Sequence, residues 1–346
     1  MSSDYHWITL DGGTTNTRAC LMANGRMIDS ATAAVGVRNS DDTANSPVKR
    51  AVADVLGTLC TRHRLDPAGT RVIASGMIGS DAGLVNVPHI PAPATIQMAQ
   101  NAMKTWHEPQ FWPGPVAICP GVKSQPLLNE NPTTPIDLSP FFSTADIMRG
   151  EEVQAWGLRK LLKISHPEII NQPWLLLWPG SHTKLIRIQP DGSISGSFTT
   201  LAGELFAALK SATLLKRSLG EAAPEAFSDD LTNHAAQCVR QFGLLRAAFW
   251  TRVADLNNTL DADQRTAWLS AAVIAEDCQG LCRHVWLANP AEKPLLFVGG
   301  DSLRQSLYCR MIRHELDLSP VAIAPEICDM AAAIGVSCVA GLVDAD

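Results

Sequence analysis

One ordered pattern occurs twice in the 346-residue chain: an apolar run, a small-residue turn, a second run, an Asx-Gly turn and a third run. In the first copy, Tyr5–Leu10 reads as a buried strand stopped by Asp11-Gly12-Gly13, and Thr17–Ala23 as the next strand. Asn24-Gly25 is a type I′ hairpin signal, and Arg26–Ala33 continues from it. The second copy has Trp174–Trp178, the turn Pro179-Gly180-Ser181-His182-Thr183, then Lys184–Gln189, Asp191-Gly192 and Ser193–Leu201. Repetition at this scale predicts two copies of one supersecondary unit. The chain is also too long for one ordinary core. We therefore expect two domains, 1–170 and 171–346, with Pro167 and Pro173 interrupting the helical pattern near the boundary.

The remainder alternates short apolar runs with helical periodicity, the signature of an α/β protein. Ser46 and Pro47 predict a capped helix whose apolar stripe is Val48, Val52, Val55, Leu56 and Leu59. Arg71–Ala74 predicts a strand that ends in Ser75-Gly76-Met77-Ile78-Gly79-Ser80, and Val116–Cys119 a short one. A helix is expected from Arg149-Gly150-Glu151-Glu152 to about Leu162, and others from Glu204, Asp230 and Gln264. Leu295–Val298 predicts a late strand followed by a helix, then an extended Val321–Ala324 and a helix from Asp329. Pro126–Pro140 reads as a solvated connection or insertion.

Composition excludes several classes. The 28 Lys and Arg against 34 Asp and Glu give a net charge of −6, with no long basic run, so nucleic acid is not an expected partner. Nine scattered cysteines do not form a disulfide framework and read as reduced thiols. No run nears the ~20 apolar residues of a membrane span, and Met1–Trp7 has no leader-like pattern. The expectation is a cytoplasmic protein with no membrane partner, and apolar patterning leaves room for a homo-oligomer.

Two turns have the makings of a phosphate site. Gly12 and Gly13 let the backbone approach a polyanion, while Thr14, Thr15 and Asn16 add donors. Asp11, at the strand end, is placed to bind Mg²⁺ through water, since hard cations favour carboxylate oxygen. Gly180, Ser181, His182, Thr183 and Lys184 occupy the equivalent place in the second copy, so the two turns can hold one triphosphate between them. Gly299-Gly300, after a strand and before a helix, offers a face free of side chains for adenosine. Neither a Walker loop nor a G-x-G-x-x-G segment occurs. Taken singly, the first turn reads as a solvated hairpin and Asp301 as a plain helix cap; the second turn at the equivalent place is what favours the phosphate reading.

Asp11–Arg18, Gly36-Val37, Ser75–Ser80, Cys119-Pro120-Gly121-Val122, Met148–Glu152, Pro179–Lys184 and Gly203-Glu204-Leu205 together resemble the 2-dehydro-3-deoxygalactonokinase family, within the sugar kinase/heat-shock protein/actin superfamily. One departure is Gly12, where the family commonly has tryptophan. The resemblance implies two ribonuclease H-like domains of the actin-like ATPase type with a cleft between them. It implies ATP with Mg²⁺ as cofactors and phosphorylation of the 6-hydroxyl of a 2-keto-3-deoxy acid. It also implies a base carboxylate at a helix start ahead of the second phosphate turn, where Glu151 and Glu152 stand. Helix capping is the alternative role for both.

An anionic small-molecule substrate needs a donor for its carboxylate. Arg18, Arg38 with Asn39, Arg149 and Lys184 adjoin the site segments, with Gly76 and Met77 expected to line the substrate side. His182 could donate to phosphate, and Glu204 could order the metal's waters or cap its helix. Competing readings are a kinase of another sugar or sugar acid, such as 2-keto-3-deoxygluconate, a non-kinase actin-like regulator, and a relative that transfers phosphate to water.

Overall fold

A computed structural model describes residues 5–39, 46–124, 141–221, 226–288, 293–316 and 318–345. The Pro126–Pro140 connection lies outside the described residues.

The chain opens on β1 (His6–Gly12), β2 (Thr17–Ala23) and β3 (Arg26–Ala33), an antiparallel meander. Asn24 and Gly25 take φ of 51° and 73°, the left-handed pair that a type I′ turn demands. After α1 (Pro47–His63), β4 (Arg71–Gly76) returns parallel to β1. Next come β5 (Ile90–Pro91), α2 (Ile96–Asn101), β6 (Lys104–Trp106), β7 (Val116–Ile118), β8 (Val122–Ser124), β9 (Asp146–Met148) and α3 (Glu151–Leu162). The second copy is β10 (Trp174–Trp178), β11 (Thr183–Ile188) and β12 (Ile194–Thr200). It continues through α4 (Ala202–Ala212), α5 (Asp229–Leu256), α6 (Ala262–Arg283), α7 (Val285–Ala288), β13 (Leu295–Val298), α8 (Ser302–Leu316), β14 (Val321–Ala322) and α9 (Pro325–Val339).

The strand orders carry the fold. One sheet runs β3-β2-β1-β4-β7-β6 and another β12-β11-β10-β13-β14. Both therefore place a three-strand meander beside strands parallel to its first member, the ribonuclease H-like arrangement. Trp7, Ile8, Thr9 and Leu10 in the middle of β1 are all buried, as in a strand covered on both faces. Ile8 and Leu10 share a core with the α1 stripe of Val48, Val52, Val55, Leu56 and Leu59. In the second sheet, Leu175, Leu177 and Val298 pack with Ala271, Ala275 and Cys278 of α6 and Leu307 and Ile312 of α8.

Some local details differ from the sequence reading. Asp11 and Gly12 belong to β1 rather than ending it, since their pairing with β2 and β4 continues to the turn. Ser46 precedes α1 without a side-chain capping bond, so Pro47 alone marks that start. Asp261 caps α6 in a full capping box with Gln264. A third sheet, β5-β8-β9, has strands of two and three residues, too short to leave a periodic signal.

Packing defines two compact units. The first gathers Met1–Pro173, Ile186–Ser197 and Glu326–Asp346; the second holds Trp174–Leu185 and Phe198–Pro325. Within the first, Trp156 donates its indole N–H to the Gly192 carbonyl at 3.1 Å and Arg159 reaches the Pro190 carbonyl at 2.9 Å. There, too, α3 and α9 touch backbone to backbone: a Cβ on Gly335 would sit 1.7 Å from the Val153 oxygen, and one on Gly157 1.9 Å from that of Ala331. All nine cysteines are free thiols, and no helix among the described residues is long and apolar enough to cross a membrane.

The glycine contacts set up a paired test. Gly335→Ala should cost about 1–3 kcal/mol in urea unfolding, because two helix backbones must part. Gly57→Ala, inside α1 with nothing within 4 Å, should instead stabilise by roughly 0.5–1 kcal/mol.

Candidate active site

The first turn is built from backbone bonds. Gly13 N–H donates to the Asn16 carbonyl at 2.8 Å, so it closes the turn instead of facing a ligand. Behind it, Val37 and Arg38 donate to the Gly13 and Thr14 carbonyls at 3.2 and 3.0 Å. Gly36 allows that approach, since a Cβ there would lie 2.4 Å from the Thr14 carbonyl carbon and the Thr15 nitrogen. With those carbonyls held, Thr14 and Thr15 N–H make no hydrogen bond among the described residues. Asn39 is used locally, its amide oxygen accepting from Gly36 N–H at 3.4 Å. Ile78 fills the space beside Gly12, where a Cβ would meet its Cγ2 at 2.2 Å.

Carboxylates gather at the end of β1. The register sets Asp11 opposite Ser75 on one side and opposite Arg18 on the other. Gly76, at φ 83°, passes so close that a Cβ would stand 2.6 Å from the Gly12 oxygen and 2.9 Å from Asp11 Oδ1. Gly150, at φ 116°, brings the start of α3 against the other side of Gly76, a Cβ there lying 3.3 Å from the Gly76 Cα. Desolvation and the Glu151 carboxylate push the Asp11 carboxyl up to about 6, against the pull of Arg18.

Glu151 and Glu152 sit on one helix turn but in different surroundings. Glu152 is fully buried, and both its oxygens accept from Gly150 N–H, at 2.9 and 2.8 Å. Burial and the neighbouring Glu151 push its carboxyl up to about 8. Glu151 is only half-buried and accepts the Arg149 backbone N–H at 3.2 Å. Glu151 is thus the charge felt by both Asp11 and Glu152.

The arginines differ as well. Arg149 donates from Nη2 to the Val87 carbonyl at 2.8 Å and to His89 Nδ1 at 3.2 Å, while its buried Nη1 has no hydrogen-bond partner among the described residues. Burial, then Arg149 and Lys123, hold His89 down at about 4, so the ring is neutral and its Nδ1 accepts. His89 was not expected from sequence; a proline-flanked histidine is a weak signal. Arg18 lies 3.8 Å from Asp329 and stays one-third exposed, and Arg38 is exposed.

In the second unit, Gly203 carries α4 onto the turn: a Cβ would lie 2.0 Å from the Gly180 oxygen. Glu204 N–H donates to the Ser181 carbonyl at 2.8 Å, and its carboxylate pairs with His182 Nε2 at 2.8 Å. Gly180 keeps an open α-carbon face, with only the His182 backbone near, at 3.5 and 4.0 Å. Ser181 is exposed, whereas Thr183 and Lys184 are buried. Gly299 shows a different use of glycine from the one expected. The Trp178 ring occupies its open side, 2.2 Å from where a Cβ would be. Gly300 turns at φ 85°, and Asp301 Oδ1 caps α8 by accepting from Arg304 N–H at 3.1 Å.

Duplicated ribonuclease H-like sheets with a glycine turn after each first strand define the actin-like ATPase superfamily, which includes the sugar kinases. The family model described as 2-keto-3-deoxy-galactonokinase matches residues 11–330, and the chain belongs to that kinase family. It is 26% identical over 298 residues to the 2-dehydro-3-deoxygalactonokinase of Escherichia coli (strain K12), covering 86% of each chain. Among solved structures, a candidate 2-dehydro-3-deoxygalactonokinase from Sinorhizobium meliloti superposes with a TM-score of 0.69 at 21% identity, over 96% of this chain and 98% of that one.

The buried Glu152 carboxyl makes stability depend on pH with a definite sign. Its ordinary pKa of 4.5 rises to about 8 on folding, so the folded state holds the proton more tightly. Its contribution is complete below pH 4.5 and is lost as pH climbs towards about 8. Melting temperatures should therefore favour Glu152→Gln over the wild type by a margin that widens from pH 5 to 8. Parallel curves would contradict this.

Proposed function

We propose that the protein phosphorylates the 6-hydroxyl of 2-dehydro-3-deoxy-D-galactonate with ATP, in galactonate catabolism, and that Glu151 is the base. Membership of the kinase family supports the reaction class. The observation that carries the base assignment is the convergence of Asp11, Gly76, Gly150 and Glu151 in the first unit. Glu152 serves better as a buried anchor of the α3 start, since its oxygens are taken up by Gly150 N–H. Free cysteines throughout support a reducing, cytoplasmic setting.

The residues fit a magnesium nucleotide. Asp11 offers a hard carboxylate oxygen, and the first turn leaves Thr14 and Thr15 N–H unpartnered among the described residues. In the second unit, taken by itself, the open face of Gly180 and the adjoining Ser181 suit contact with an anion. When bound, Mg·ATP supplies the phosphoryl group and neutralises its charge. Glu151 accepts the proton of the acceptor hydroxyl as that oxygen becomes the nucleophile. His182 Nε2 is taken up by the Glu204 carboxylate, which fixes the ring, and only a ring carrying both protons leaves Nδ1–H to donate to an anionic oxygen. Arg18 and Arg38 keep solvent contact and are assigned to the substrate carboxylate, whereas Arg149 is fastened to Val87 and His89 as part of the site wall.

ADP release from Mg-ATP tests the reaction. Turnover should be strong with 2-dehydro-3-deoxy-D-galactonate and weak with its gluconate epimer, with glucose or with no acceptor. Acceptor-independent release would point to an ATPase or to transfer to water, and a preference for the epimer or glucose to another sugar kinase. Glu151→Gln should lower kcat by roughly 10²–10⁴ with little change in KM. Near wild-type turnover in this variant would remove Glu151 as the base.

A further inference from the structure

A buried polar chain runs behind the second turn. Thr183, the first residue of β11, places Oγ1 3.0 Å from the Tyr308 phenol oxygen. Tyr308, in α8, donates in turn to Asp277 Oδ2 in α6. All three residues are sequestered, at 1%, 1% and 7% exposure. Asp277 Oδ1 has no hydrogen-bond partner among the described residues. Asp277 follows Glu276 after the apolar run Ala271–Ala275 of α6, and of these two acids only Asp277 is buried, which is costly.

The direction of the chain follows from counting protons. A phenol has one O–H, and Tyr308 gives it to Asp277. With its O–H given to an ionised Asp277, the Tyr308 oxygen is left to accept, and Thr183 is then the donor in the 3.0 Å contact. The Thr183 hydroxyl is thereby committed inward. Contacts from the turn to a phosphate fall to its backbone N–H groups, Ser181 and His182. Any contribution of Thr183 to a phosphate site is then through its backbone.

We propose that Asp277 and Tyr308 are positioning residues for the nucleotide, holding the Thr183 hydroxyl inward so that the Gly180–Thr183 backbone is preorganised for phosphate. The proposal rests on the second turn being a phosphate site. Burial raises the Asp277 carboxyl above its usual value, while hydroxyls of Thr200, Tyr308 and Thr183 pull it down. The hydroxyls facing it offset part of that burial cost. Loss of the phenol O–H removes one of them and lets Thr183 rotate, and the turn then has to be ordered at the moment of binding.

Calorimetric titration of the full chain with Mg·ADP, paired with thermal melts, separates positioning from plain stability. Tyr308→Phe should weaken ADP by about tenfold, in line with one to two hydrogen bonds. KM for the sugar acid at saturating ATP should stay within about twofold, because the effect lies on the nucleotide side. Asp277→Asn, which keeps an acceptor for the phenol, should lose less ADP affinity than Asp277→Ala. If Tyr308→Phe does not fold, the Asp277 pair gives the same reading. A lowered melting temperature with wild-type ADP affinity would overturn the proposal and leave the chain a structural feature. Failure of the wild type to bind Mg·ADP would remove the phosphate reading of the turn and this proposal together. ADP binding without turnover of the named acid would touch only the acceptor assignment.

Discussion

Parallel pairing of β1 with β4 is the constraint on which the candidate site in the first unit depends. Its register sets Asp11 beside Ser75 and Gly12 beside Gly76, and it leaves no room for a side chain at Gly76. The short β9 then delivers Arg149 and Gly150, and Gly150 can turn at φ 116° only because it lacks a Cβ. Two glycines with positive φ thus let three backbone segments meet where a carboxylate ends β1 and α3 begins. The N-terminus of that helix carries partial positive charge, which tempers the cost of placing two acidic residues there.

Most of the fold was legible because its strongest signals are local. The repeated strand–turn order, the Asn24-Gly25 hairpin and the α1 stripe each follow from period or turn chemistry and appear as expected. The β5-β8-β9 sheet was not legible, since two or three residues cannot establish a period. Its loss matters, because Val122 pairs with Met148 and so fixes where the Arg149–Glu152 segment begins. The two compact units are also hard to read from order alone, as close backbone contacts at Gly157 and Gly335 join α3 to a helix nearly two hundred residues later.

The site was legible as segments rather than as roles. Residue types indicated carboxylates at a helix start, and burial distinguishes them: Glu152 is enclosed and held by Gly150, and Glu151 is half-buried between two other acids. Likewise three arginines adjoined the site in sequence, and hydrogen bonding separates the fastened Arg149 from the more exposed Arg18 and Arg38. Glycine proved the least transferable signal. Gly180 is open, Gly299 receives an indole ring and Gly203 receives a carbonyl, although all three are glycines near a proposed nucleotide segment. Asp277 and Tyr308 are remote in sequence from Thr183, which their hydrogen bonds reach, and nothing in the local pattern sets Asp277 apart from its neighbour Glu276.

The central claim is that Glu151, and not Glu152, serves the acceptor hydroxyl. A crystal structure of the wild-type enzyme with Mg·ADP and 2-dehydro-3-deoxy-D-galactonate tests it most directly. The account predicts the 6-hydroxyl oxygen within about 2.6–3.2 Å of a Glu151 carboxylate oxygen, with Glu152 still bound to Gly150 N–H. A 6-hydroxyl held by Glu152, or by neither glutamate, would contradict it.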